Sequence, residues 1–279
     1  MAQRTERLHG RHAIEEALRA RRRPLQRLLV KRGRPSDEIR RLMDLARDAG
    51  LPVVEIEGAR LAELAGAGEG AVQGAVLEAG PLPELGGVPE LCDALGGEPG
   101  TRRVVALDGV EDPQNVGALA RVADAAGAGG LLLTRRRSPP LSPTLARASA
   151  GAIDWLPVAR VTNLTRALED LKSEGFWVVA ADPDAKTELW EVPDRLLQGD
   201  LVLVLGAEGR GLRPSIRGAV DHPVRIPMRG RVASLNVASA GAVVLYELLR
   251  RAASGPRRPP GEPRPGSQSA NSTPPGPES

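Results

Sequence analysis

Residues 104–134 read VVALDGVEDPQNVGALARVADAAGAGGLLLT. Two short and almost wholly apolar runs, 104–107 and 131–133, bracket a segment with helical spacing. Val116, Leu119, Ala120 and Ala123 fall at i, i+3, i+4 and i+7, the stripe of a helix packed on a core. Pro113 stops the first run, and Asn115 stands where a helix N-cap is expected. A run without polar alternation is buried on both faces, and two such runs joined by a helix predict a parallel β-α-β unit. The pattern recurs downstream, with apolar runs at 177–181 and 201–205 and helical segments at 116–126, 163–174 and 235–251. Residues 101–253 therefore predict an α/β domain on a parallel sheet, with its ligand beyond the carboxyl ends of the strands.

The preceding chain predicts a smaller α/β unit over residues 1–79. Ile14, Ala17 and Leu18 mark one helix and residues 35–49 another, Leu61 and Leu64 a short third, and 25–30, 51–56 and 71–77 three strands. Residues 80–100, GPLPELGGVPELCDALGGEPG, read as a linker with one helical turn near Leu91 and Leu95, leaving the two units separable. The segment 254–279 holds 8 of the 25 prolines and a single alanine as its only hydrophobic residue, so it is expected to be disordered.

Charge and composition narrow the function. Hydrophobic residues reach 41%, enough for a packed core, and no run is long enough to span a membrane. The start, MAQRTERLHGRH, has no apolar stretch of the secretory kind, so a cytoplasmic location is expected. One cysteine, Cys92, excludes an internal disulfide and a multi-cysteine zinc site. His9 and His12, followed by Glu15 and Glu16, match no ligand pattern and read as a solvated helix start, so no metal is expected. Of 38 basic residues all but Lys31, Lys172 and Lys186 are arginine, in a chain of net charge +3. They cluster as Arg19 with Arg21, Arg22 and Arg23, as Arg102 with Arg103, as Arg135, Arg136 and Arg137, and as Arg229 with Arg231. Such local patches face a polyanion, and the first of them is expected on phosphates. Aromatic residues at 2% argue against a base-stacking platform.

Three loops carry the candidate chemistry. On the first helix Arg121 lies about 140° from Val116, where it either serves a ligand or pairs with Asp124 at i+3. The turn in LVLVLGAEGRGL (201–212) spaces its glycines as GxxGxG, with Glu208 inside it; that is neither the dinucleotide fingerprint nor a P-loop. An oxidoreductase on a nicotinamide cofactor fails on this spacing. In IPMRGRVASLNVASAGAVVLYE (226–247), Ser234 or Asn236 can cap a helix whose small residues, 238–242, admit a close neighbour. No serine–histidine–acid set is present in these loops, which removes nucleophilic catalysis.

Together the three segments resemble, in order, the three motifs of the SpoU/TrmH family of RNA 2′-O-ribose methyltransferases. LHGRHAIEEALRA and the strand near AVQGAVLEA resemble the ribosomal-protein-like RNA-binding domain of the RlmB-type branch, with Val72 where that branch carries a histidine before Gln73 and Gly74. The resemblance implies an α/β fold with a C-terminal SPOUT trefoil-knot methyltransferase domain and a small N-terminal α/β RNA-binding domain. It implies S-adenosylmethionine as cofactor, held by backbone around Gly206, Ile226 and Leu235. Asn115, Arg121, Glu208, Ser234 and Asn236 become the polar active-site set. The implied activity is 2′-O-methylation of a guanosine ribose in 23S rRNA by a homodimer, with no membrane partner. A tRNA ribose methyltransferase and a non-catalytic RNA-binding protein are the alternatives; the N-terminal unit opposes the first and the intact polar set the second.

Overall fold

The computed structural model describes residues 4–207 and 209–253. The expected tail at 254–279 and the side chain of Glu208 lie outside the described residues. The chain forms two sheets. The first has the order β1-β4-β2-β3, from β1 (Glu6–His9), β2 (Leu25–Lys31), β3 (Val53–Ile56) and β4 (Ala75–Ala79). Helices α1 (Arg11–Ala20), α2 (Asp37–Asp48), α3 (Gly58–Ala65) and the short α4 (Glu69–Val72) accompany it. The strand expected at 71–77 starts late, because Gln73 and Gly74 adopt φ of 56° and 82° and make a turn ahead of β4.

Helix α5 (Val88–Ala94) leads into the second sheet, all parallel, in the order β10-β8-β9-β5-β6-β7. Its strands are β5 (Arg103–Asp108), β6 (Gly130–Thr134), β7 (Val158–Val161), β8 (Phe176–Ala181), β9 (Asp200–Gly206) and β10 (His222–Val224). Helices α6 (Pro113–Ala125), α7 (Pro143–Ala148), α8 (Leu164–Ser173), α9 (Pro214–Arg217) and α10 (Val237–Ala253) cover it. Strand periodicity divides the apolar runs between two cores. Val105, Leu107, Leu131, Leu133, Leu203 and Leu205 pack with α6 and α10, while Val104, Ala106, Leu132, Val202 and Val204 pack with α5, α8 and α9.

Register puts the strand ends level. Val224 pairs with Ala181, Ala181 with Leu205, and Leu205 with Leu107, so the segments after β10, β8, β9 and β5 all leave one edge of the sheet. That edge is where the sequence places its chemistry.

The two units are not loosely tethered, as their Gly/Pro-rich connection suggested. Leu85 forms a bridge with Ala159, and Val88 and Leu91 are buried in the second core. The apolar cluster on the α6 face runs without a break into the first unit, through Leu8, Ile14 and Leu18. The RARRR arginines are also redirected. Arg23 has no exposed side-chain surface and lies 2.5 Å from Asp154, itself fully buried, and 3.0 Å from Glu6. Arg22 donates to the carbonyl of Leu156. Two of the arginines expected on phosphates are thus spent inside the protein, fastening the first unit to the loop between α7 and β7. Gly151 explains how close that contact is. Its φ is +89°, and a Cβ there would come within 2.5 Å of Glu16 Cβ and 3.0 Å of the His12 carbonyl. His9 is likewise no solvated helix start: it ends β1, is buried, and its Nε2 lies 3.2 Å from an Nη of Arg147. Burial first, and Arg147 second, push its imidazole below the usual range.

Candidate active site

The site begins at α6. Asp112, not Asn115, is its N-cap: the Asp112 carboxylate accepts from the backbone N–H of Gln114 (3.1 Å) and Asn115 (3.3 Å). Asn115 is therefore inside the helix, with its side chain free of capping duty. At the start of α10, Asn236 does act as the cap, its Oδ1 accepting from Ala238 N–H (2.9 Å) and Ser239 N–H (3.4 Å). Its other end, Nδ2, donates to Asn115 Oδ1 at 2.8 Å. One amide side chain thus starts α10 and holds the first-motif asparagine. The close packing predicted for the small residues of α10 supports this meeting, since a Cβ on Gly241 would come within 2.4 Å of Leu119 Cδ2 on α6 and 2.9 Å of Leu205 Cδ1 on β9.

Gly206, at the end of β9, faces the fold-back of its own loop. A Cβ there would meet the Gly211 carbonyl carbon at 2.4 Å and the Leu212 nitrogen at 2.7 Å, so only glycine fits. Ala207 and Gly211 close the turn as a bridge, with Gly211 N–H donating to Ala207 O at 2.9 Å. Asp108, level with Gly206 at the end of β5, locks the far side. Its buried carboxylate accepts from Arg213 Nε (2.6 Å) and Arg213 N–H (2.9 Å). Sequence reasoning missed Asp108 and Arg213; the available signal was an acid ending an apolar strand and an arginine just past the glycine turn.

Ile226 lines a cleft of about 260 Å³ with Pro183, Arg225, Met228 and Ala233. Leu235 is 38% exposed, and Ser234 is exposed, with no bond to the other site residues among the described ones. Arg121 is exposed too, six residues after Asn115 or about 9 Å along the helix axis. It makes no ion pair with Asp124 and no bond to Asn115 or Asn236, so its guanidinium is uncommitted among the described residues. A larger cleft of about 570 Å³, along β10 and α9, contains none of the predicted site residues. Among the described residues no group of three or more His, Cys, Asp or Glu could hold a metal ion, and no helix is long and apolar enough to cross a membrane.

Residues 102–246 match the SpoU rRNA Methylase family, and residues 7–85 match the RNA 2′-O ribose methyltransferase substrate-binding family. The chain belongs to the SpoU rRNA methylase family. It is 38% identical over 246 residues to the 23S rRNA (guanosine-2′-O-)-methyltransferase RlmB of Pseudomonas aeruginosa, covering 88% of this chain and 96% of that protein. An RlmB of a Burkholderia species is also 38% identical, over 88% of this chain and 96% of that one. Among solved structures, the SpoU methyltransferase AviRb of Streptomyces viridochromogenes, in complex with AdoMet, aligns with a TM-score of 0.73 at 26% identity, over 89% of this chain and 91% of that one. An AdoMet-bound rRNA methyltransferase of Sinorhizobium meliloti aligns with a TM-score of 0.71 at 25% identity, over 88% and 87%. The SpoU assignment and the α/β fold expected from the three motifs therefore stand.

Proposed function

We infer that this chain is an S-adenosylmethionine-dependent methyltransferase that modifies the ribose 2′-hydroxyl of a guanosine in 23S rRNA. The observation that carries the reading is the Asn236–Asn115 bond, which joins the family's first and third motifs, while Gly206 of the second ends β9 level with Asp108 at the end of β5. S-adenosylmethionine, when bound, supplies an electrophilic methyl group. The residues present suit it. The turn at Gly206 has no room for a side chain, so backbone amides and carbonyls are what it presents, and Ile226 and Leu235 offer the apolar surface that a flat purine needs.

The protein's own tasks are to orient the ribose and to hold charge. A hydroxyl that gains a methyl must shed its proton, and its oxygen carries negative charge as the proton leaves. A guanidinium with a pKa above about 12 is a poor base. Arg121 serves instead as a clamp for a phosphate and for the developing oxyanion, for which a guanidinium exposed and unpaired among the described residues is ready. Asn115, fixed by Asn236, orients the sugar, and Glu208 and Ser234 complete the polar set. Much of the rate comes from that orientation.

The same reading divides the labour. Residues 1–79 select RNA, 80–100 connect, and 101–253 hold the cofactor. It includes a trefoil knot, which the return of α10 from edge strand β10 onto α6 and β9 supports. It includes a cytoplasmic homodimer, for which the exposed Val232, Leu235, Tyr246 and Leu249 provide apolar surface. The test is transfer of a labelled methyl group from S-adenosylmethionine to a 23S rRNA transcript, with ribose methylation mapped by resistance to alkaline cleavage. Methylation of a tRNA pool and not of 23S rRNA overturns the substrate; transfer to neither overturns the activity.

A further inference from the structure

We propose that Arg135, Arg136 and Arg137 form a preorganised clamp for RNA phosphates beside the methyl-transfer site. The proposal rests on the RNA-methyltransferase reading and adds the surface that grips the substrate backbone.

Many arginines among the described residues are matched to carboxylates: Arg102 to Asp200, Arg213 to Asp108, Arg217 to Asp182 and Asp184, Arg7 and Arg27 to Glu78. Arg135, Arg136 and Arg137 are consecutive and exposed, and among the described residues none of their guanidinium groups has a hydrogen bond or ion pair. Three like charges in one turn repel each other, and among the described residues no acid is paired with them.

The turn is nevertheless fixed. Arg160 on β7 is only 5% exposed and reaches under it, donating from Nη1 to the Thr134 carbonyl (3.3 Å) and from Nη2 to the Pro139 carbonyl, so both ends are held by one guanidinium. Its Nε is held in turn by Glu84 at 2.7 Å. Inside the turn, Thr134 Oγ1 donates to the Arg136 carbonyl and lies 3.2 Å from Ser138 Oγ. Arg135 N–H donates to Val161 O at 2.8 Å. Arg137 sits at φ +61°, a left-handed conformation that costs a non-glycine residue about 1 kcal/mol or more. A merely solvated charge run needs neither a buried arginine beneath it nor a strained residue at its tip.

Its placement suits the task. Val104 pairs with Gly130 and Ala106 with Leu132; carried two residues further, that register sets Asp108 beside Thr134. Neighbouring strands are about 4.8 Å apart. The arginine turn therefore leaves the sheet next to the segment that leads into Asp112 and Asn115. Guanidinium forks match phosphate oxygens in pairs, and a fixed turn loses little freedom on engaging them.

The test compares the full-length wild type with the Arg135→Ala/Arg136→Ala/Arg137→Ala variant, and with a second variant carrying lysine at all three positions. Binding to a 23S rRNA transcript is measured across salt concentrations, S-adenosylmethionine affinity by calorimetry, and folding by thermal melting. The expected result for the alanine variant is RNA binding at least tenfold weaker at low salt. Its slope of log affinity against log salt should be flatter by about two units, at roughly 0.7–0.9 for each phosphate no longer gripped. Cofactor affinity and melting should be unchanged, and the lysine variant should keep most of the slope. RNA affinity within twofold of wild type, with the same slope, overturns the clamp. Binding is read without methyl transfer, so a flattened slope in the variant, with a wild type that transfers no methyl group, upholds the clamp and overturns the methyltransferase reading instead.

Discussion

Asn236 and Asn115, 121 residues apart in sequence, meet at 2.8 Å, and the direction of that bond is dictated by the start of a helix. Asn236 Oδ1 must face the N–H groups of Ala238 and Ser239, so only its Nδ2 is left for Asn115. That in turn fixes Asn115 Oδ1 toward Asn236 and leaves Asn115 Nδ2 without a partner among the described residues.

Asn236→Asp separates these two duties. A carboxylate caps a helix as well as an amide does, and its charge suits the N-terminal end of the dipole. It has no donor for Asn115, whose amide must turn over. The expected outcome is stability within about 1 kcal/mol of wild type and methyl transfer reduced by at least tenfold. Urea unfolding and single-turnover transfer on rRNA measure the two; unchanged transfer rules out the orienting role of Asn236.

Gly206→Ala is expected to act on cofactor binding and on the fold. Its Cβ has the Gly211 carbonyl carbon 2.4 Å away, and backbone cannot swing aside as a long side chain would. Overpacking of this kind costs typically 1–3 kcal/mol. A lower melting temperature with S-adenosylmethionine affinity reduced tenfold or more is the predicted pair of results. Normal affinity would place the cofactor elsewhere.

Arg121→Ala, by contrast, removes a side chain that is exposed and bonded to nothing among the described residues. Stability should stay within about 0.5 kcal/mol, and cofactor affinity should not change. Transfer should fall by roughly 10²–10³, the usual loss for an oxyanion donor. A variant that retains more than about a tenth of the wild-type rate would be too active for the clamp described.

The central sheet was legible because β5, β6, β8 and β9 are continuous apolar runs, and a parallel strand buried on both faces has no other sequence signature. The edge strands β1 and β10 were not. β1 has a single apolar residue, Leu8, among its four, and β10 is three residues with a proline in the middle. The site residues could be picked from their motifs, but their partners could not. Asp112 outcompeted Asn115 as the cap because the helix begins at Pro113, three residues earlier than the apolar stripe suggests. The arginines at 21–23 carried a charge signal and no information about Asp154, 131 residues beyond Arg23, which absorbs it.

Glu247 makes part of the stability depend on pH. Its carboxylate, 8% exposed, takes Arg250 Nε at 2.7 Å and Arg251 Nε at 2.6 Å. Hydrogen bonds from Arg250, and then from Arg251, overcome the cost of burial and pull its pKa from 4.5 to about 2. The folded value lies below the unfolded one, so the stabilisation is complete above about pH 4.5 and is lost as the pH falls toward 2. Arg250 is 63% exposed, so screening reduces the gain to an expected ~1–2 kcal/mol. Glu247→Gln should be less stable than wild type by that amount at pH 7, with the gap narrowing through pH 4 to 3 in denaturant titrations. A gap that stays constant would assign the loss to packing.

A buried ion pair lies at the joint between the two units. Arg23 and Asp154 are both without exposed side-chain surface, and burial pushes the Asp154 carboxyl above its usual range even with Arg23 against it. Desolvation is thus incompletely repaid, so the pair fixes a geometry more than it adds stability. Removing one partner leaves the other charge stranded. Asp154→Ala is expected to cost about 3 kcal/mol and to make the chain between the sheets, residues 80–100, more sensitive to limited proteolysis. Glu6, 3.0 Å from Arg23, limits the damage. Replacing both partners by apolar residues, Arg23→Met with Asp154→Leu, removes the stranded charge and should recover most of the loss. A double variant as unstable as Asp154→Ala alone would mean that the joint depends on the ion pair itself, and that the apolar surface running from Leu8 and Ile14 to α6 does not hold the units together.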